Sequence, residues 1–309
     1  MENTVVNKNQ YEKIGAWRGG WLLLRASWST LKADKEMVSF PLLSVVASIG
    51  WFIVTITIMG LVAFAMVHGN WQAFVSADQP SGFPTVAYDA LTGLVFAFGI
   101  YLIANYYMAA LVASALHRFN GNYPTVKYGL GEARKRFGLI AKYSLLQATV
   151  GTVLRIAQER LPFAGKITAL IVDVAWAIVS TFAVPVIVAS NEPVGPITAV
   201  RRSAGIFKKT WGQNFVGGLS MASIFAVAFL GWIGLLVGAV VLAFASHWTL
   251  FLTVPILAIL FVLLTSVTSA LSGIFNAALY YFATTGQSPA EFDHNLLMAA
   301  FKPKKHWFA

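Results

Sequence analysis

The chain has 309 residues, 58% of them hydrophobic and 11% charged, against the roughly 45–50% apolar content of ordinary soluble domains; its mean hydropathy is +0.69. That excludes a soluble globular protein and leaves a polytopic membrane protein. The 22 Lys and Arg against 12 Asp and Glu would suggest nucleic acid in a soluble chain, but no polar domain exists to carry such a contact, and in a membrane chain the excess records orientation and attraction to anionic headgroups. Without any cysteine, disulfides, thiolate metal sites and cysteine nucleophiles are ruled out.

Residues 1–13 form a polar tail, and residues 14–309 are read as one membrane domain. No short apolar core with a small-residue cleavage site occurs in the first forty residues, so the first span is expected to act as an uncleaved insertion signal. From Ile14 to about Ala33, Trp17, Trp21, Leu24, Trp28 and Leu31 recur at helical spacing, with Arg18, Arg25, Ser29 and Lys32 largely between them. This predicts an amphipathic helix in the headgroup layer, indoles at the boundary and basic side chains snorkelling; a helix packed under the bundle is the alternative.

Six apolar runs meet the roughly twenty-residue criterion for a span: about 42–67, 87–116, 138–158, 167–190, 215–243 and 250–282. A loop rich in breakers, His68 to Val86, follows the first span. The third run is the least apolar, with only twelve residues between Lys142 and Arg155. It is retained because Lys142 can snorkel and because Arg155 has a candidate partner. Arg155 and Asp173 lie equally far either side of the turn at Leu161 to Gly165, so a helical hairpin turning there puts them at equal depth, ~13 Å from the turn. Charges at membrane depth are usually paired and often mark a path, and these two are the expected ion pair. Pro185 in the fourth run predicts a bend that frees the carbonyl of Thr181. In the fifth run Gly231, Gly234 and Gly238 offer a small surface that is expected to pack within the chain, with a second subunit as the alternative. Ser246-His247-Trp248 is read as an interfacial turn, and residues 289–301 as a final amphipathic helix.

Gly195-Pro196 opens a further basic helix with Ile197, Val200, Ala204, Phe207 and Trp211 on one stripe. Arg201, Arg202, Lys208 and Lys209 lie mainly off it. With the amino terminus in the cytoplasm, every Lys and Arg except Arg155, Arg160 and Lys166 falls on the cytoplasmic side, so both termini are placed inside. Arg18, Arg25, Arg201, Arg202, Lys208 and Lys209 are the expected contacts to anionic lipid.

Each even-numbered span exits through glycine and then proline into a basic amphipathic stretch: Gly121 to Pro124, Gly195-Pro196 and Gly286 to Pro289. Ala-Ala-Leu recurs at Ala109 to Leu111 and Ala277 to Leu279, with Asn105 and Asn276 before them. The expected fold is thus all-α, six transmembrane helices in three hairpins, each preceded by a basic amphipathic cytoplasmic helix. Repeats of this kind are parallel, related by an axis along the membrane normal.

No HExxH, Walker loop or GxSxG occurs, the five histidines fall at span ends or loops, and the acidic residues form no ligand cluster. An enzyme, a cofactor and a metal site are not expected. The intramembrane polar set is Asn105, Gln147, Arg155, Asp173, Asn214 and Asn276. These residues either hydrogen-bond between helices for packing or line a polar path through the bundle.

Arg18-Gly-Gly-Trp21 through Ser27-Trp28, Lys32-Ala-Asp34-Lys35-Glu36, Phe40-Pro41-Leu42-Leu43-Ser44, Arg202-Ser203-Ala204 to Trp211-Gly212, and Phe275-Asn276 through Phe292-Asp293 to Ala300-Phe301-Lys302-Pro303 resemble a family of uncharacterised prokaryotic integral membrane proteins, known only as a domain of unknown function. The resemblance implies a complete single-domain member in a bacterial or archaeal plasma membrane. It carries no activity and no functional residue. A channel or transporter for a small solute or ion is the leading expectation. The second is a scaffold or lipid-binding accessory protein acting through its basic helices, with a homo-oligomer or another membrane protein as partner.

Overall fold

The structure is a computed structural model that describes residues 16–66, 85–190, 192, 194–211, 216–245, 248–294 and 297. The polar tail, most of the first loop, Asn214, Ser246-His247 and residues 295, 296 and 298–301 of the final amphipathic stretch lie outside the described residues. So do the side chains of Arg18 and Lys209.

Among the described residues the elements are helices α1 (Ala16–Ala33), α2 (Ser39–Met66), α3 (Thr85–Phe119), α4 (Val126–Lys135), α5 (Phe137–Arg160), α6 (Phe163–Ser180), α7 (Ala183–Ala189), α8 (Pro196–Trp211), α9 (Val216–Ala245) and α10 (Trp248–Thr285), with a 3-10 turn at Lys35–Val38. Six helical stretches are long and apolar enough to cross a membrane, α6 and α7 together counting as one of them. This is a multi-span, all-α membrane protein.

The fourth span is broken. Helix α6 ends at Ser180, residues 181 and 182 form a turn, and α7 resumes at Ala183. Pro185 has no N–H to return to the Thr181 carbonyl, and the break falls one turn ahead of it, at the carbonyl the sequence singles out. The Phe182 N–H finds its partner outside the span, donating to Ser203 Oγ of α8 at 2.9 Å in a buried bond. A broken membrane helix is tolerated where other protein groups re-satisfy its backbone; here an amphipathic helix does so.

The core is one-sided. Buried side chains concentrate on Leu23 of α1, Phe40 of α2, Ala109 to Ala113 of α3, Ile140 and Tyr143 of α5, Phe182 to Val188 around α7, and Ala270 to Phe282 of α10. Much of α2 and α9 and the distal part of the α5–α6 hairpin stand exposed, with Val46, Ile53, Leu61, Ile171, Leu235 and Val240 outward. Apolar side chains gain little by leaving lipid, so small residues mark where helices meet. Gly273 is such a point, because any side chain there would strike Leu111 Cδ2 at 2.4 Å. It lets α10 close on α3.

The amphipathic helices pack partly through the stripes the sequence suggests, with Leu24, Leu31, Val200 and Phe207 on the core, and partly through small residues beside them. On α1 the buried positions are Leu23, Ala26, Ser27, Thr30 and Leu31, while Trp21 and Trp28 face outward. On α8 they are Ala199 and Ser203, with Ile197 exposed. Helix α1 therefore lies against α9 and α10 and keeps its described indoles on its outer face. Gly231, Gly234 and Gly238 are exposed, with nothing within 4 Å of a Cβ built on any of them. Among the described residues, the expected packing of that surface within the chain is not seen. Gly121 and Gly286 both have positive φ, 83° and 72°, at matching points after α3 and α10. Left-handed backbone suits glycine at a helix end, so the two exits share a conformation as well as a spelling.

Candidate functional site: a polar cavity beside the broken span

Four parts of the bundle enclose a cavity of about 160 Å³. Its polar wall is Asn105 from α3, Tyr143 and Gln147 from α5, Ser180 and Thr181 at the break, and Asn276 from α10. Met108, Val112, Val184 and Pro185 supply the apolar remainder. The enclosing helix ends are tied together: Arg136 Nη2 donates to the Ser190 carbonyl at 3.4 Å, and Arg118 reaches Glu291 at 3.4 Å. Measured from those ends, the polar residues lie roughly ten positions in, ~15 Å along the helix axis. That is near the middle of a hydrocarbon core ~30 Å thick.

The wall is partly satisfied and partly free. Asn105, 8% exposed, donates from Nδ2 to Ser144 Oγ at 3.0 Å and to Gln147 Oε1. The Ser144 hydroxyl donates to the Ile140 carbonyl at 2.8 Å, and Tyr143 makes a long bond to the Ser180 carbonyl at 3.5 Å. Ser180 Oγ is buried without a partner. Of the expected polar set, Asn105, Gln147 and Asn276 come together here, from three different spans.

Arg155 and Asp173 do not. Arg155 Nε pairs with Glu159 Oε1 one turn along its own helix at 2.9 Å, the two side chains 76% and 60% exposed, and Asp173 is exposed on α6. The cross-hairpin ion pair is thus corrected. Equal depth does not fix the angle at which a residue leaves its helix, and an i,i+4 carboxylate is always within reach. Neither charge lines the cavity.

A second cluster was legible only as orientation charge. Arg118 at the end of α3 meets Asp34 Oδ2 at 3.0 Å and Glu291 Oε1 at 3.4 Å, and stacks over the Tyr123 ring at 5.4 Å. The Asp34 contact is an ion pair without hydrogen-bond alignment, since that oxygen has no hydrogen-bond partner. Glu36 accepts from the Val126 N–H at 2.9 Å, anchoring the start of α4. Within α4, hydrogen bonding from Lys135 holds the Glu132 carboxyl below its ordinary range, against its partial burial and with further help from Arg136. Burial, with Glu132 nearby, pushes the Tyr128 hydroxyl up against the opposing pull of Lys135 and Arg136.

Arg25, Arg201, Arg202 and Lys208 are exposed on α1 and α8. Their side chains are free to meet headgroups while the opposite faces pack.

A family model described as a family of unknown function (DUF6159) covers residues 86–290. No curated protein and no solved structure matches.

Proposed function

Since the chain belongs to the DUF6159 family, whose function is unknown, membership brings no activity, and we propose from the geometry that this protein passes a small solute or ion across the membrane through the cavity beside its broken span. The observation that carries the reading is the meeting of Asn105, Gln147 and Asn276, from three spans, with Thr181 at the break of the fourth, whose carbonyl has no N–H to receive from Pro185. Transporters place their sites near the bilayer midplane, where interrupted helices expose backbone groups that a continuous helix would consume. The role is non-enzymatic, in the plasma membrane, with both termini cytoplasmic. The chain is three parallel units, each a basic amphipathic helix and a membrane hairpin, a reading supported by the shared glycine conformation at Gly121 and Gly286.

The test is uptake of a panel of ions and small osmolytes by liposomes carrying the purified protein, beside Asn105→Leu with the fold of both checked. Uptake by the wild type that drops in a folded variant supports the reading. A panel without uptake removes it and leaves the scaffold reading, favoured by the exposed Arg25, Arg201, Arg202 and Lys208. In that case the protein is expected to enrich anionic over zwitterionic lipids on purification.

A further inference from the structure

We infer that the cavity binds a small uncharged molecule that both donates and accepts hydrogen bonds, and that it rejects ions; the inference gives a substrate class to the transport reading and rests on the same site. The argument begins at Ser144. A hydroxyl has one proton, and that of Ser144 goes to the Ile140 carbonyl at 2.8 Å. Only lone pairs are left for Asn105, so the Asn105 group facing Ser144 is its Nδ2, 3.0 Å away.

The orientation then propagates. Nδ2 also faces Gln147, which must answer with Oε1, and this leaves two edges in the wall: an acceptor, Asn105 Oδ1, and a donor, Gln147 Nε2, one of whose two protons is directed at the Tyr143 hydroxyl. Across the cavity, Asn276 brings a carboxamide with both kinds of atom, and Ser180 Oγ is buried and unpartnered. The site therefore offers donors and acceptors side by side.

No lining side chain carries a charge at neutral pH. An ion stripped of water at this depth needs a counter-charge or a shell of like dipoles. A cation would face the N–H groups of Gln147, and an anion the carbonyl oxygen of Asn105. A neutral amphiprotic molecule satisfies both edges without either penalty. The cavity volume, 160 Å³, is close to that of an engineered cavity of about 150 Å³ that accepts benzene, so solutes of the size of urea, acetamide and glycerol fit.

The experiment is saturation-transfer NMR of urea, acetamide and glycerol on the detergent-solubilised full chain, wild type beside Asn276→Leu. Stopped-flow permeation of the same solutes, and of sodium, potassium and chloride, is measured in proteoliposomes. Asn276 makes no hydrogen bond among the described residues, so its replacement breaks none of them. The expected result is saturation transfer to at least one of the three solutes, reduced about tenfold in affinity by the variant, the loss of one or two hydrogen bonds. No transfer in the wild type, or equal transfer in both proteins, overturns the inference. Permeation by ions alone also overturns it while transport stands. Binding without permeation keeps the site and removes transport.

Discussion

Asp173 stands exposed on α6, with no ion pair among the described residues, in an otherwise apolar span. Replacing its carboxylate by an amide of the same shape breaks no contact. Asp173→Asn is therefore expected to leave thermal stability within about 0.5 kcal/mol of wild type, the range of contact-free surface changes. A fall of several kcal/mol on thermal unfolding would be the mark of a broken buried pair, and would restore the partnership with Arg155. The carboxamides tell the opposite story. Asn105, Gln147 and Asn276 stand out in the sequence because polar groups are costly at membrane depth, and the structure brings them to one cavity. Ser180, Thr181 and Tyr143 were not singled out as cavity-lining. Hydroxyls are ordinary in membrane helices, where they commonly bond to their own backbone. Only the signal from Pro185 pointed to Thr181, through its carbonyl.

At the scale of elements, the bond from Phe182 to Ser203 joins the broken span to α8. Ser203→Ala leaves a buried N–H without a partner and is expected to cost about 1–3 kcal/mol. Ser203→Thr, which keeps the hydroxyl, is expected to lose less. Thermal unfolding of the two variants in one detergent checks this, and equal stability of wild type and Ser203→Ala would show that the break is held by packing alone. The helices themselves were legible. Apolar runs fixed all six spans, and Pro185 located the interruption. The outward indoles of α1 were legible as boundary residues, and Val200 and Phe207 of the α8 stripe pack against the core. What the pattern does not mark is the small residues that make the close contacts. Ala26, Ser27 and Thr30 on α1, and Ala199 and Ser203 on α8, are buried because they are small enough to bring backbones close. The neighbouring Trp21, Trp28 and Ile197 have no reason to leave the apolar surroundings.

For the whole molecule, Arg118 is the joint. It holds Asp34, before the first span, and Glu291, after the last, and all three side chains are less than a fifth exposed. Arg118→Met strands two carboxylates and is expected to destabilise by about 2–4 kcal/mol, in line with broken part-buried pairs. Adding Asp34→Asn to that variant should recover part of the loss, since the two positions share one contact. Purely additive losses would deny the joint.

The helix lengths have a physical consequence for the bilayer. Helices α3 and α10, with 35 and 38 residues, rise ~52 and ~57 Å, against a hydrocarbon layer ~30 Å thick. Even strongly tilted, each is longer than the oil is thick. The Arg118 contacts join the carboxyl-terminal ends of the two long helices, with α4 pinned beside them through Glu36 and Val126. The protein thus carries its own rigid collar at one end of the bundle. A change in membrane thickness slides the waterline along the outer surface of the two long helices and leaves the collar's internal bonds undisturbed.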